Sequence, residues 1–168
     1  MKRFLPQGFM VFAGVLGIAT ASVNSDQDVT RYDIAKNRKK LDLRESILRK
    51  FLKEKQCPDQ EFTEIFISEA DAHGLDWRLL PSLAFIETTG GKTMKGNNLF
   101  GWANGKQKFS SISDAIHTVA SALAHGSAYR GKDIGGKLAA YNQGTDYPAM
   151  VMQIMRQISP RQQVTAAE

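Results

Sequence analysis

Apolar residues recur every three or four positions over most of the chain after residue 40, which is the spacing of helices that bury one face. The pattern predicts six helical segments, at about 41–56, 59–73, 77–89, 111–129, 138–142 and 146–158. Residues suited to helix caps stand where these segments begin, at Asp59, Asp76, Ser111 and Asp146. We therefore expect a mainly α-helical protein.

The segment from Trp77 to Thr89 differs from the others, because its apolar residues cover nearly the whole circumference of the predicted helix. These residues are Leu79, Leu80, Leu83, Ala84, Phe85 and Ile86. A helix that is apolar on all sides is buried. Gly90 and Gly91 end it, and the Gly-, Asn- and Lys-rich residues 90–109 predict an irregular or hairpin insertion directly after this helix.

The N-terminal segment has the features of a secretory signal. Lys2 and Arg3 precede an apolar run at 9–19 that is too short to span a bilayer comfortably. Ala19-Thr20-Ala21 then offers small residues at the positions that a signal peptidase reads. We expect cleavage after Ala21 and export to the periplasm or the extracellular space, with an uncleaved membrane anchor as the alternative.

The expected organisation is a signal peptide at 1–21, a basic polar lead-in with an N-terminal helix at 22–56, a main domain at 57–158 and a flexible tail at 159–168. The 168 residues suit one domain with short appendages, and a content of 42% hydrophobic and 23% charged residues excludes a wholly disordered chain.

The net charge of +5 is concentrated near the N-terminus. Ten basic and four acidic side chains lie between Arg31 and Lys55, whereas residues 57–168 carry a net charge of −1. A near-neutral main domain argues against a nucleic-acid partner. The basic helix is either a solvated face or a contact surface for an envelope protein, and we expect a monomer.

Metal and thiol chemistry are not expected. The chain has one cysteine, Cys57, which cannot form a disulfide within the chain. It is either an incidental thiol or a partner in an intermolecular disulfide. The three histidines, His73, His117 and His125, are scattered along the sequence without the spacing of a zinc motif, so we expect no bound metal and no cofactor.

Glu87 does not match its surroundings, because it directly follows the most apolar part of the buried helix. Burial and the negative end of the helix dipole both favour a protonated carboxyl group. A protonated carboxyl group is what a general acid needs in order to donate to a glycosidic oxygen. The alternative is an exposed glutamate at a frayed helix end, paired with Lys92.

The loop after this helix carries residue types that are typical of sugar-binding surfaces. Residues 97–102 bring together amides, aromatic rings and a glycine. Aromatic faces pack on the C–H edges of sugar rings, and amides bind hydroxyl and N-acetyl groups. We expect Trp102 to face a ligand, whereas the ring of Phe100 is expected to fold back into the loop's own small core.

Tyr141 and Asn142 interrupt the apolar run at 138–144 in a similar way. A tyrosine hydroxyl at this position can reach Glu87 across a cleft. The alternative is a helix end with Tyr141 in the core and Asn142 as its C-terminal cap.

Together these segments resemble the lysozyme-like superfamily, whose members cleave the glycan strands of peptidoglycan. The resemblance extends from about Glu61 to Ile158 and depends on four motifs in a characteristic order. They are Gly74-Leu75-Asp76-Trp77-Arg78-Leu79-Leu80-Pro81, Ile86-Glu87-Thr88-Thr89-Gly90-Gly91-Lys92, Asn97-Asn98-Leu99-Phe100-Gly101 and Leu138-Ala139-Ala140-Tyr141-Asn142-Gln143-Gly144. Thr88 replaces the family's usual serine. The third motif is similar to the N-acetylglucosaminidase branch and the fourth to the lytic transglycosylase branch.

The resemblance implies a lysozyme-like helical domain that cleaves β-1,4 linkages between N-acetylated amino sugars. It implies that Glu87 is the general acid and that Tyr141 orients it. The residues that would bind the substrate are Thr88, Asn98, Phe100, Trp102 and Asn142.

The acids after Glu87 favour one branch of this superfamily. They are Asp114, Asp133, Asp146 and Glu168, and none lies in the 90–109 loop, where the N-acetylglucosaminidase branch of the family would offer its second carboxylate. We therefore favour a lytic transglycosylase that uses one glutamate. The alternatives are an N-acetylglucosaminidase that adds water, and a catalytically inactive glycan-binding or scaffold protein.

Overall fold

The computed structural model describes residues 43–160, and this part of the chain forms six α-helices and a short 3-10 helix. The elements are α1 (43–54), the 3-10 helix (Pro58–Phe62), α2 (Thr63–Ala72), α3 (Leu79–Thr88), α4 (Ile112–His125), α5 (Ile134–Tyr141) and α6 (Tyr147–Ile158). Within 43–160 there is no strand. The prediction of a mainly helical protein is confirmed, and the insertion between α3 and α4 is irregular rather than a hairpin.

The predicted signal peptide, the tether up to residue 42 and the tail beyond residue 160 lie outside the described residues. Between residues 43 and 160, no helix has both the length and the apolar character that a membrane crossing requires.

Helix α3 lies at the centre of the domain. It packs against both α2 and α6, while α4 packs on α2 and α5 on α6. Every residue from Leu79 to Ala84 is buried, as the apolar circumference predicts. Pro81 is the third residue of the helix, where its missing N–H removes no intrahelical hydrogen bond.

Helix α1 packs its apolar stripe into the core through Leu48, Phe51 and Leu52, which are buried. One of its positive charges forms an ion pair with α2 at the protein surface. Arg44 donates two hydrogen bonds to the carboxylate of Asp71 on α2, with distances of 2.7 and 2.6 Å. This two-point contact fixes the orientation of α1 on α2.

The helix caps match the prediction fully only at Ser111. Asp76 does not cap α3, which begins at Leu79, and its carboxylate accepts hydrogen bonds from Arg78 instead. Ser111 caps α4 by accepting the backbone N–H of Asp114 at 3.0 Å, as predicted. Asp133 caps α5 by accepting the N–H of Gly136, so α5 begins before the predicted residue 138. Asp146 is the N-cap residue of α6, as predicted, but its side chain makes no capping hydrogen bond.

Asp59 does not take its predicted role either, because it lies within the 3-10 helix and is buried instead of capping α2. Its side chain is 1% exposed, and neither carboxylate oxygen has a hydrogen-bond partner. Burial raises the pKa of Asp59 to about 7. The Asp59 carboxyl group is therefore buried next to the C-terminal end of α3, without contact with solvent.

Cys57 and Gly90 enclose this carboxyl group at the end of α3. A Cβ atom at position 90 would lie 2.5 Å from the Cys57 sulfur and 3.0 Å from Asp59 Oδ1, so only glycine fits there. Burial, with a contribution from Asp59, raises the pKa of the Cys57 thiol to about 11. A thiol that is buried and protonated is poorly placed for the intermolecular disulfide considered above.

Candidate functional site

A cleft of about 340 Å³ opens at the C-terminal end of α3. Its walls come from the α3–α4 loop, from the segment after α4 and from the end of α5. The lining residues are Glu87, Phe100, Gly101, Trp102, Ala103, Asn104, Tyr129, Tyr141 and Asn142. The volume is in the range of small-ligand sites, about 300–1,000 Å³.

Glu87 projects its carboxyl group into this cleft from the last turn of α3, and it is half-buried. Its Oε1 atom accepts a hydrogen bond of 2.5 Å from the hydroxyl of Tyr147, the first residue of α6. Burial, and then the hydrogen bond to Glu87, raise the pKa of Tyr147 well above its usual range. Tyr147 therefore remains a neutral hydrogen-bond donor to Glu87.

The other carboxyl oxygen faces the backbone of the α3–α4 loop. A Cβ atom at Gly101 would lie 3.1 Å from Glu87 Oε2, and Gly101 also has a φ of 59°. Both the close approach and the left-handed conformation favour glycine. The loop can therefore approach the carboxyl group closely enough to form one wall of the cleft.

Tyr141 does not orient Glu87 directly, which corrects the predicted contact. Its hydroxyl donates instead to the backbone carbonyl of Phe100 at 2.7 Å, and this hydrogen bond ties α5 to the loop. Its ring stacks on the ring of Tyr147, with centroids 5.9 Å apart and planes 8° from parallel. Tyr141 thus supports the phenol that contacts Glu87.

Tyr147 is missed by the sequence analysis, because Asp146-Tyr147-Pro148 indicates only the start of a helix. Its contact with Glu87 joins two residues that are 60 positions apart in the chain. A buried aromatic hydroxyl at the first position of an amphipathic helix is a weak signal, and it becomes informative only when α6 is placed against α3.

Thr88 supports the loop and does not face the cleft. Its side chain is 5% exposed, and its hydroxyl donates to the Leu99 carbonyl at 2.8 Å. The same oxygen accepts the N–H of Gly91 at 3.1 Å. Thr88 therefore holds the loop in shape through these hydrogen bonds and does not make the predicted contact with substrate.

Asn98 has a comparable structural role. It is buried, and its amide nitrogen donates to the carbonyls of Trp102 and Gln107 at 3.0 and 3.1 Å. Its amide oxygen accepts the N–H of Trp102 at 2.7 Å. The amide that the motif would offer to a sugar thus holds the loop in shape and positions Trp102.

Aromatic rings form the cleft wall beside Glu87. Trp102 is half-buried, and its ring centroid lies 5.6 Å from that of Tyr141 and 6.4 Å from that of Tyr129. Tyr129, from the segment after α4, is a second residue that the sequence analysis misses. The ring of Phe100 is buried in the core, as expected for the loop, so it does not make the substrate contact that the resemblance implied.

Asn142 lies at the exposed rim of the cleft, directly after α5. It is the C-terminal cap residue of that helix, and its Oδ1 atom accepts the N–H of Gly144 at 2.9 Å. Its position on the cleft lining keeps it available as a contact for a ligand.

Glu87 supplies the only carboxyl group among the described residues that line the cleft. Asp114 and Asp133 are engaged at the N-termini of α4 and α5. The arrangement can therefore donate or accept one proton at one carboxyl group beside a partly apolar wall.

A second cavity of about 500 Å³ is larger than the cleft, but none of the described residues that line it is aromatic. It lies between the ends of α5 and α6 and includes Met152 and Met155. The charged residues at its edge include Arg78, which is engaged in an ion pair with Asp76 at 2.6 Å. The cleft at Glu87 is the better candidate, because there a carboxyl group and aromatic rings face the same space.

The three histidines are scattered in the sequence but lie together in the structure. His73, His117 and His125 lie together on the surface formed by α2 and α4, next to Glu69. They are far apart in the sequence, but the packing of these two helices brings them into contact.

Comparison of the chain with known protein families, with curated proteins and with solved structures found no match.

Proposed function

We propose that this protein is a lysozyme-like peptidoglycan glycosidase of the lytic transglycosylase type. The observation that carries the proposal is the pairing of Glu87 Oε1 with the Tyr147 hydroxyl in a cleft with an aromatic wall. Residues 57–158 would form the catalytic domain. Export and contact of the basic residues of α1 with an envelope protein belong to the same proposal.

In the first step, Glu87 donates its proton to the glycosidic oxygen as the bond between that oxygen and the anomeric carbon breaks. The N-acetyl oxygen of the substrate stabilises the positive charge that develops on the anomeric carbon. The hydrogen bond from Tyr147 holds Oε1, so the carboxyl group keeps one orientation toward the leaving oxygen.

In the second step, the 6-hydroxyl of the same muramic acid residue attacks the anomeric carbon. Glu87, now a carboxylate, accepts the proton of that hydroxyl and returns to its starting state. The product is a 1,6-anhydro ring, and no water is consumed. A single carboxyl group is sufficient for both steps, which is consistent with the cleft lining.

Substrate binding would use the aromatic wall and the rim of the cleft. Trp102 and Tyr129 offer ring surfaces to the apolar edges of sugar rings. Asn142 offers an amide to a hydroxyl or N-acetyl group. Thr88 and Asn98 act indirectly in this proposal, by shaping the loop that carries Trp102.

Digestion of purified peptidoglycan sacculi followed by mass spectrometry tests the proposal. The expected products are soluble muropeptides that end in 1,6-anhydro-muramic acid and are lighter by one water molecule than hydrolysed fragments. Reducing ends would instead identify an N-acetylglucosaminidase or another hydrolase. Saturable binding to sacculi without any soluble product would overturn the enzymatic proposal and indicate a binding or scaffold protein.

The two tyrosines at the site are expected to differ in their effects on activity. Tyr147→Phe removes the hydrogen bond to Glu87 and should lower kcat about 10-fold or more, because hydrogen bonds to charged groups contribute about 1.5–3 kcal/mol. KM should change little, since Tyr147 acts on Glu87 rather than on the sugar. Rates on soluble glycan strands, measured at substrate concentrations above and below KM, give kcat and KM separately.

Tyr141→Phe is the matched control, because it removes a hydroxyl from the neighbouring stacked ring. Its hydroxyl binds a backbone carbonyl, so we expect a loss of about 1 kcal/mol of stability and a smaller change in kcat. Equal losses of kcat in both variants would contradict a specific positioning role for Tyr147.

A further inference from the structure

All three histidines of the chain, together with Glu69, form one cluster on the surface between α2 and α4. Glu69 lies on α2, His73 caps its C-terminal end, and His117 and His125 lie on α4. The cleft, by contrast, is built from the end of α3, the loop after it and the region of α5. The cluster is therefore separate from the proposed catalytic machinery.

The donor atoms of three of these residues converge on one point. One ligand atom each from Glu69, His73 and His117 lies within 4.8 Å of the other two. Glu69 Oε2 is 2.9 Å from His117 Nδ1 and 3.5 Å from His73 Nε2. Ligand atoms around a tetrahedral zinc ion, at metal distances of about 2.0–2.1 Å, lie about 3.4 Å from each other. Small side-chain adjustments would accommodate a metal.

His125 gives the cluster an outer partner. Its Nε2 atom lies 3.1 Å from Nδ1 of His73, so one ring can donate to the other. When His73 donates its Nδ1–H to His125, its Nε2 atom carries a lone pair on the side of Glu69. Histidines that bind metals commonly donate their other ring N–H to an acceptor, which fixes the tautomer and the ring orientation.

We propose that Glu69, His73 and His117 bind a divalent transition metal, with Zn²⁺ as the best match to two imidazoles and one carboxylate. Three protein ligands leave a fourth position for water. The side chains of Glu69 and His73 are 23% and 14% exposed, whereas that of His117 is 61% exposed. Glu69 and His73 are therefore held in place by the surrounding residues, whereas His117 would bind the metal from the side that faces solvent.

The metal would add coordination bonds to the His117–Glu69 and His73–His125 contacts that already join α2 to α4. Because α2 packs directly on α3, the link would also stiffen the support beneath the catalytic helix. The expected consequence is a gain in stability when metal binds to the folded state.

Isothermal titration of the full chain with ZnCl₂ tests this proposal, using protein without a polyhistidine tag and after removal of metal by a chelator. We expect one zinc ion per chain with a micromolar or lower Kd. At zinc about 100-fold above Kd, the Tm should rise by about 10 °C. Co²⁺ in place of Zn²⁺ should give the visible absorption of a four-coordinate site.

Substitutions separate this site from adventitious binding. Glu69→Gln and His117→Ala should weaken zinc binding more than about 100-fold, and His125→Ala about 10-fold to 100-fold. Glu64→Gln, at an exposed acid of the same helix, should leave zinc affinity unchanged. Because His117 is largely exposed, its variant should fold normally and keep the test informative.

Absence of one-to-one binding in the wild-type chain would overturn the proposal. Equal zinc affinity in the Glu69→Gln and Glu64→Gln variants would also overturn it, since binding would then not involve the cluster. Neither result would affect the proposed cleavage chemistry, because that chemistry is tested by the products released from sacculi.

Discussion

Glu87→Gln is expected to lower the release of muropeptides from sacculi by about 10³-fold while leaving the fold intact. The glutamine side chain has nearly the same shape, and its amide oxygen can still accept the hydrogen bond from Tyr147. It cannot supply the proton that the leaving oxygen needs. Initial rates of muropeptide release, with thermal unfolding of the same samples, measure the two effects separately.

Glu61→Gln is a suitable control for this substitution, because Glu61 is exposed on the 3-10 helix, away from the cleft lining. It should retain full activity. If the Glu87→Gln variant also released muropeptides at the wild-type rate, Glu87 would not be the general acid and the proposed mechanism would fail.

Asp59→Asn is expected to stabilise the protein at alkaline pH and to remove part of its pH dependence. The folded-state pKa of about 7 lies above the ordinary value of 3.8, so the folded protein binds this proton more tightly than the unfolded chain does. The contribution of this tighter proton binding to the free energy of unfolding is fully present below about pH 4 and is lost as the pH rises through 7. The full effect is about 4 kcal/mol.

Urea unfolding at pH 5 and pH 8 measures this effect. From pH 5 to pH 8, the unfolding free energy of the wild type should fall by about 3 kcal/mol more than that of the Asp59→Asn variant. Asp146→Asn, at an exposed residue without a capping hydrogen bond, should show no such increase. A pH-independent difference for Asp59→Asn would indicate that Asp59 titrates normally in the folded protein.

The helices could largely be predicted from the sequence, because periodicity and capping act between near neighbours. The apolar circumference of α3 predicts its burial, and Ser111 predicts the start of α4. The start of α5 is missed because two glycines in its first turn hide the helical pattern after Asp133.

The candidate site could be predicted only in part. Glu87 is conspicuous as a charged residue at the end of an apolar helix, and the structure places it in a cleft beside a phenol. The identity of that phenol, Tyr147, depends on the packing of α6 against α3. Motif resemblance also cannot tell whether an amide such as that of Asn98 faces a ligand or its own loop.

The amino-acid pattern alone was enough to identify a helical protein with one central apolar helix and an acid at its end, because both features depend on residues adjacent in the chain. Tertiary packing decided which tyrosine contacts Glu87, which loop side chains face inward, and that the three histidines meet beside Glu69. The contacts of Tyr147 with Glu87 and of His117 with Glu69 join residues 60 and 48 positions apart, so they exist only once the helices have packed together.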